Sequence, residues 1–158
     1  MIDYAKCPLK ERTRLIDDFI KSIDNWAICD TFCCNSVWAK REDKEQLWRY
    51  ITELLHGRDE WSIRVGTVLA MCHYLDDQHI DRTLNEINSI DLHENEPYYV
   101  RMGIAWLLAT ALAKNEAKTK LFVRTSSLPS DIIKLYVRKA RESFRTRNIE
   151  ATYSKLIT

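Results

Sequence analysis

Apolar and polar positions alternate with helical spacing along most of this sequence. Leu15, Ile16, Phe19, Ile20 and Ile23 fall three and four residues apart after Pro8, which predicts an amphipathic helix from Leu9 to Ile23. Asn25 is suited to capping a second helix, whose stripe is Ile28, Cys29, Phe32 and Cys33. Asp43 opens a third, with Leu47, Trp48, Tyr50, Ile51, Leu54 and Leu55, closed by His56-Gly57 in the manner of a glycine cap. A fourth runs from Glu60 to Leu75, with Val65, Val68, Leu69 and Cys72 toward the core and Arg64 at the edge of that stripe. The Asp76-Asp77 junction leads into a fifth, Ile80 to Ile90, and Pro97 opens a sixth built on Val100, Ile104, Leu107, Leu108 and Ala111, with Trp106 flanking the core face. Helices over Asn115 to Thr125, Ser130 to Arg145 and Ile149 to Leu156 complete the series.

Composition supports the all-α reading, because only three glycines and three prolines punctuate 158 residues rich in helix formers. The length suits one domain, and no low-complexity segment or linker divides residues 1–158. Helix, short turn, helix recurs: Asp30 to Arg64 spans 34 residues and Arg64 to Trp106 spans 42. HEAT-type helical hairpins repeat at about 40–47 residues, and equivalent helices of successive units then line one concave surface. The expected architecture is a HEAT-like α-α superhelix on whose surface Trp26, Asp30, Arg64 and Trp106 meet.

The formal net charge of +1 hides a strong polarity. Residues 1–113 carry 13 Lys and Arg against 19 Asp and Glu, whereas residues 114–158 carry 11 against 4. A cationic end on a nearly neutral chain suits a wall of a nucleic-acid groove. The five cysteines match no disulfide or zinc framework, and His56, His73, His79 and His93 have no ligand spacing, so neither a metal nor a cofactor is expected. Reduced thiols, no signal-type apolar run and no stretch of 18 apolar residues point to a cytoplasmic protein without a membrane partner.

Asp24-Asn25-Trp26-Ala27-Ile28-Cys29-Asp30 places an indole and a carboxylate four residues apart, on one helical face. Core packing for Trp26 and Trp106, and a capping or intrahelical role for Asp30, are the plain alternatives. Taken together with Arg64, the set suits a cationic transition state. Glycosidic cleavage builds oxocarbenium character that a carboxylate stabilises, or whose attacking water it positions, while aromatic faces favour nearby cations. Arg64 could hold a phosphate bidentately, or pair with a structural carboxylate such as Asp30. If the base is an alkylated, already cationic purine, its departure needs little acid catalysis, and one carboxylate is enough. Trp38, Trp48 and Trp61 are read as core or surface aromatics.

Three stretches, Asn25-Trp26-Ala27-Ile28-Cys29-Asp30, Trp61-Ser62-Ile63-Arg64 and Tyr98-Tyr99-Val100-Arg101-Met102-Gly103-Ile104-Ala105-Trp106-Leu107-Leu108, resemble the bacterial DNA alkylation repair family. These are the AlkD-like alkylpurine DNA glycosylases, built from HEAT-like repeats. Lys134-Leu135-Tyr136-Val137-Arg138-Lys139-Ala140-Arg141-Glu142-Ser143-Phe144-Arg145 is similar to that family's closing basic helix, so the likeness runs from about Leu15 to the end. The resemblance implies that Asp30 is the catalytic carboxylate and that Trp26 and Trp106 contact the lesion-bearing nucleotide or its backbone. Arg64 would contact the DNA backbone. Arg101, Lys134, Arg138, Lys139, Arg141 and Arg145 are read with it as DNA-binding residues, a solvated face being the alternative for the basic run. The implied substrate is duplex DNA carrying cationic N3- or N7-alkylpurines. The family has several helices ahead of its Trp-x-x-x-Asp motif where one clear helix stands here, which leaves an apolar face near Leu15 and Phe19 and a route to a homodimer through the N-terminal helix.

Two functions therefore stand side by side, a monofunctional DNA glycosylase and a non-catalytic HEAT-like module binding DNA or protein. A scaffold without a nucleic-acid partner is a third, should the basic helix face away from the site. An open groove around Asp30 favours the first, and a carboxylate buried under its neighbours favours the second.

Overall fold

The computed structural model describes residue 2 and residues 6–146, so the helix expected at Ile149 to Leu156 lies outside the described residues. These residues form an all-α fold with no strand among them. Their contacts gather into two compact units, Met1–His73 and Tyr74–Thr158. None of the described helices is long and apolar enough to cross a membrane.

The first unit holds α1 (Leu9–Ile20), α2 (Trp26–Cys34), α3 (Lys44–Leu55) and α4 (Glu60–His73), with a 3-10 turn at Val37–Lys40 that the apolar spacing did not signal. Asn25 caps α2 by accepting from the Ile28 amide at 3.1 Å, and Asp43 caps α3 by accepting from the Gln46 amide at 2.9 Å. Helix α3 ends as expected near Gly57, but for a different reason. No glycine has positive φ, and a Cβ at Gly57 would stand 2.9 Å from the Leu54 carbonyl oxygen, so the residue supplies room in the turn and not a left-handed cap.

Helix α4 is the centre of this unit, packing against α1, α2 and α3. Surrounded on three sides, it buries every residue from Ile63 to Met71. Gly66 permits the approach of α3, since a Cβ there would lie 3.0 Å from Leu54 Cβ and 3.1 Å from the Leu55 nitrogen. The amphipathic expectation for α4 is corrected at both ends of its stripe: Arg64 is buried and Cys72 is exposed. At the foot of α4, desolvation, ahead of the charges of Lys44 and Lys40, pushes His73 down to about 4. The ring is therefore neutral at pH 7. Its Nε2 lies 2.8 Å from Ser36 Oγ, and because that hydroxyl gives its proton to the Cys33 carbonyl, Nε2 is the donor.

On α1, Arg12 is buried, pairs with Glu42 at 3.3 Å and sits over the Trp38 ring at 5.4 Å from its centroid. Phe19 packs against Phe32 of α2 with the rings tilted by 50° and their centroids 4.8 Å apart, while Leu15 and Ile28 remain exposed.

The second unit holds α5 (Ile80–Ser89), α6 (Tyr98–Lys114), α7 (Glu116–Thr125) and α8 (Ser130–Glu142). Helix α6 packs against α7 and α8, and α5 against α7. Asn115 ends α6 and caps α7, accepting from the Lys118 amide at 3.1 Å. Taking the helices in consecutive pairs, the second helix of one pair lies on the second helix of the next in both units, α2 on α4 and α6 on α8.

Candidate functional site

Every residue expected at the site and described here lies on a second helix or just beyond its end: Trp26 and Asp30 on α2, Arg64 on α4, Arg101 and Trp106 on α6, the basic set on α8 and the turn after it. The Asn25 cap sets the phase of α2, and Trp26 and Asp30 follow one turn apart. Their environments differ sharply. Trp26 is 54% exposed, whereas Asp30 is 9% exposed.

The carboxylate of Asp30 receives a two-pronged bond from Arg64, Nε to Oδ1 at 3.0 Å and Nη2 to Oδ2 at 2.8 Å. This parallel fork fixes the plane of the carboxylate. Two opposite charges removed from water together are tolerable, while either one alone is costly. The guanidinium expected on a phosphate is thus directed at the carboxylate. The outcome matches the ion pair that the residues alone left open for Arg64.

In the second unit, Trp106 is half-buried and lines an open depression of about 600 Å³. Its walls include Thr110 and Lys114 of α6, Lys139 of α8, and Phe144 and Arg145 beyond the end of α8. A smaller hollow of about 90 Å³ lies where Tyr98 and Met102 of α6 face Leu135 and Arg138 of α8. Tyr98, Met102, Trp106 and Thr110 recur every fourth residue, so these hollows follow one face of α6. Lys114, Tyr98 and Phe144 were not singled out from the sequence as site residues, although this four-residue spacing carries the signal for Tyr98.

The expected DNA-binding cations fall into distinct groups. Lys134, Arg138 and Arg141 share one face of α8, within about 60° of arc at 100° per residue. That face lies opposite the buried Ile132, Tyr136, Val137 and Ala140. All three are exposed, with Arg138 bonded to Glu142 at 2.9 Å. Lys139 lies 3.9 Å from the same carboxylate, and Arg145 sits over Phe144, itself 72% exposed. Arg101 is bonded within its unit: its Nε donates to the Glu96 carbonyl at 2.7 Å and its Nη1 to Asp131 at 3.1 Å, tying α6 to the start of α8. No cluster of three metal-binding side chains occurs among the described residues.

A family model described as DNA alkylation repair enzyme matches residues 1–144. The chain belongs to this family. No curated protein and no solved structure matches it. The family match runs from before α1 to just past α8, so it takes in the Asp30–Arg64 pair and the Trp106 depression alike.

The pair makes a measurable demand on stability. Arg64→Ala orphans a buried carboxylate and is expected to lower unfolding free energy by about 3–5 kcal/mol in urea titration. A loss below about 0.5 kcal/mol, normal for an exposed arginine, would contradict the buried pairing.

Proposed function

We propose that this DNA alkylation repair protein hydrolyses the N-glycosidic bond of cationic N3- and N7-alkylpurines in duplex DNA, with Asp30 as the catalytic carboxylate. The observation that carries this reading is the pairing of Asp30 with Arg64 beside an exposed Trp26. An ionised carboxylate held in one orientation needs no reorganisation when positive charge develops near it. As the C1′–N bond breaks, its electron pair returns to the alkylpurine, which leaves as a neutral base. The sugar takes up the positive charge, and Asp30 stabilises it. Water then forms the new C1′–O bond and releases a proton, by way of Asp30 or directly to solvent. The reaction needs no cofactor.

Trp26 and Trp106 offer aromatic faces to the nucleotide or its backbone. Lys134, Arg138, Arg141 and Arg145 meet phosphates, with Lys139 at the margin of the Trp106 depression. Arg64 acts as a positioning residue for Asp30, and Arg101 as a brace for α8.

One observation favours a second reading. Asp30 is only 9% exposed and both its oxygens are engaged by Arg64, as in a structural ion pair. On that reading the chain is a non-catalytic member of its family that binds DNA or protein.

Single-turnover release of 7-methylguanine and 3-methyladenine from methylated duplex DNA separates the two. The glycosylase reading predicts release that Asp30→Asn slows by at least about a hundredfold with DNA binding retained, while the melting temperature falls because Arg64 loses its charged partner. No release by the unaltered chain, despite salt-dependent DNA binding, would leave the binding module. For the phosphate contacts, Lys134→Glu and Arg141→Glu should each weaken binding to any duplex and flatten the plot of log affinity against log salt by roughly one unit or more. An unchanged salt slope in both variants would remove this face of α8 from the interface.

A further inference from the structure

A pair of thiols in the first unit takes no part in the proposed chemistry. Cys34 is the last residue of α2, and Cys72 is the residue before the end of α4. They are 38 residues apart in sequence, yet the Cys72 thiol donates to Cys34 Sγ at 3.7 Å, and both residues are exposed. Cys29 and Cys33, by contrast, are buried, and Cys33 Sγ is turned to the Val65 carbonyl at 3.8 Å.

We infer that Cys34 and Cys72 are a modification site, a dithiol that low-molecular-weight disulfides convert into an intramolecular disulfide joining α2 to α4. Three observations carry this: the sulfurs already touch, their helices pack against one another, and solvent reaches both residues. A disulfide closes the remaining gap to a bond of about 2 Å between sulfurs that are already in contact.

The order of events follows from the hydrogen bond between them. Desolvation, ahead of the charge and hydrogen bond of Cys34, pushes Cys72 up to about 12, so Cys72 keeps its proton and shares it with Cys34. Cys34 is therefore the attacking sulfur. Its thiolate attacks one sulfur of the small disulfide, forms a mixed disulfide and expels one small thiolate. Cys72 then attacks the Cys34 sulfur of the mixed disulfide, its proton goes to the departing thiolate, and the second small thiol leaves. The net change is two protein thiols and one small disulfide becoming one protein disulfide and two small thiols.

The cross-link would close a loop across the pair that positions Asp30. Asp30 stands one turn before Cys34 on α2, and Arg64 two turns before Cys72 on α4. A staple there holds the two helices at the separation at which the carboxylate and guanidinium meet. The inference is independent of whether Asp30 is catalytic.

The full chain is equilibrated with oxidised glutathione, quenched with acid, and its thiols are counted under denaturing conditions. The expected result is three free thiols of the five, a mass lower by two hydrogens, a monomer on a non-reducing gel, and a single cross-linked peptide containing Cys34 and Cys72. The oxidised chain should melt higher than the reduced one by on the order of 5 °C, because the link constrains the unfolded chain. In Cys72→Ser, Cys34 should instead stop at a stable glutathione adduct. Five remaining thiols, a lasting glutathione adduct on the unaltered chain, or cross-linked dimers would overturn the site. A confirmed disulfide that leaves the melting temperature unchanged or lower would overturn its role as a staple.

Discussion

A buried pair of opposite charges, Asp30 on α2 and Arg64 on α4, is the constraint on which the first unit turns. Neither group could remain in that interior alone, because an unpaired charge there costs several kcal/mol by general experience with buried ions. The two-pronged bond answers both charges at once and fixes the relative placement of the helices that carry them. Helix α4 accepts a guanidinium among apolar neighbours because it packs against three other helices and is buried from Ile63 to Met71. The arrangement that stabilises α2 on α4 is also the one that presents an oriented anion beside an exposed indole.

The second unit supplies different physics. There the buried polar residues are the uncharged Thr83, Thr119 and Thr146, and the long apolar helix α6 is buried along most of its length. What faces solvent on it is a line of larger side chains, Tyr98, Met102 and Trp106, bordered by the cations of α8 and of the turn that follows it. Aromatic surface with lysine and arginine at its edges is the combination that holds nucleotide bases and phosphates without demanding a particular sequence.

Much of this was legible in the amino-acid order. Local signals came through well: Asn25, Asp43 and Asn115 cap the helices they precede, and eight of the expected helices occur with ends shifted by a few residues. Frayed ends of this kind reflect cap and turn geometry more than apolar spacing. Periodicity failed where a helix is surrounded. A one-sided stripe on α4 put Arg64 at the rim and Cys72 inside, and the packing of α1, α2 and α3 around it reversed both. Gly57 shows the limit of residue type as a guide, since its turn needs space and not a left-handed backbone. Long-range partners were hardest to see. Asp131 lies 30 residues from Arg101, with nothing in local spacing to announce the bond, and Cys34 and Cys72 meet only because α2 lies on α4. The repeat interval did bring Asp30 and Arg64 into one frame, and the resemblance to DNA alkylation repair proteins was carried by the three motifs that hold Trp26 with Asp30, Arg64, and Trp106.

On the proposed function Asp30 is a carboxylate poised for a cationic sugar and not merely half of a structural bond. The most direct test is the affinity of the chain for two duplexes that differ in one nucleotide, a positively charged pyrrolidine ring in one and a neutral tetrahydrofuran in the other. Transition-state mimics gain about a hundredfold or more when a site is built for them, so the charged ring should bind tighter by at least about tenfold, with the difference lost in Asp30→Asn. Equal affinity for the two duplexes, in a chain that binds DNA and is folded, would contradict the account and leave Asp30 and Arg64 as a structural pair.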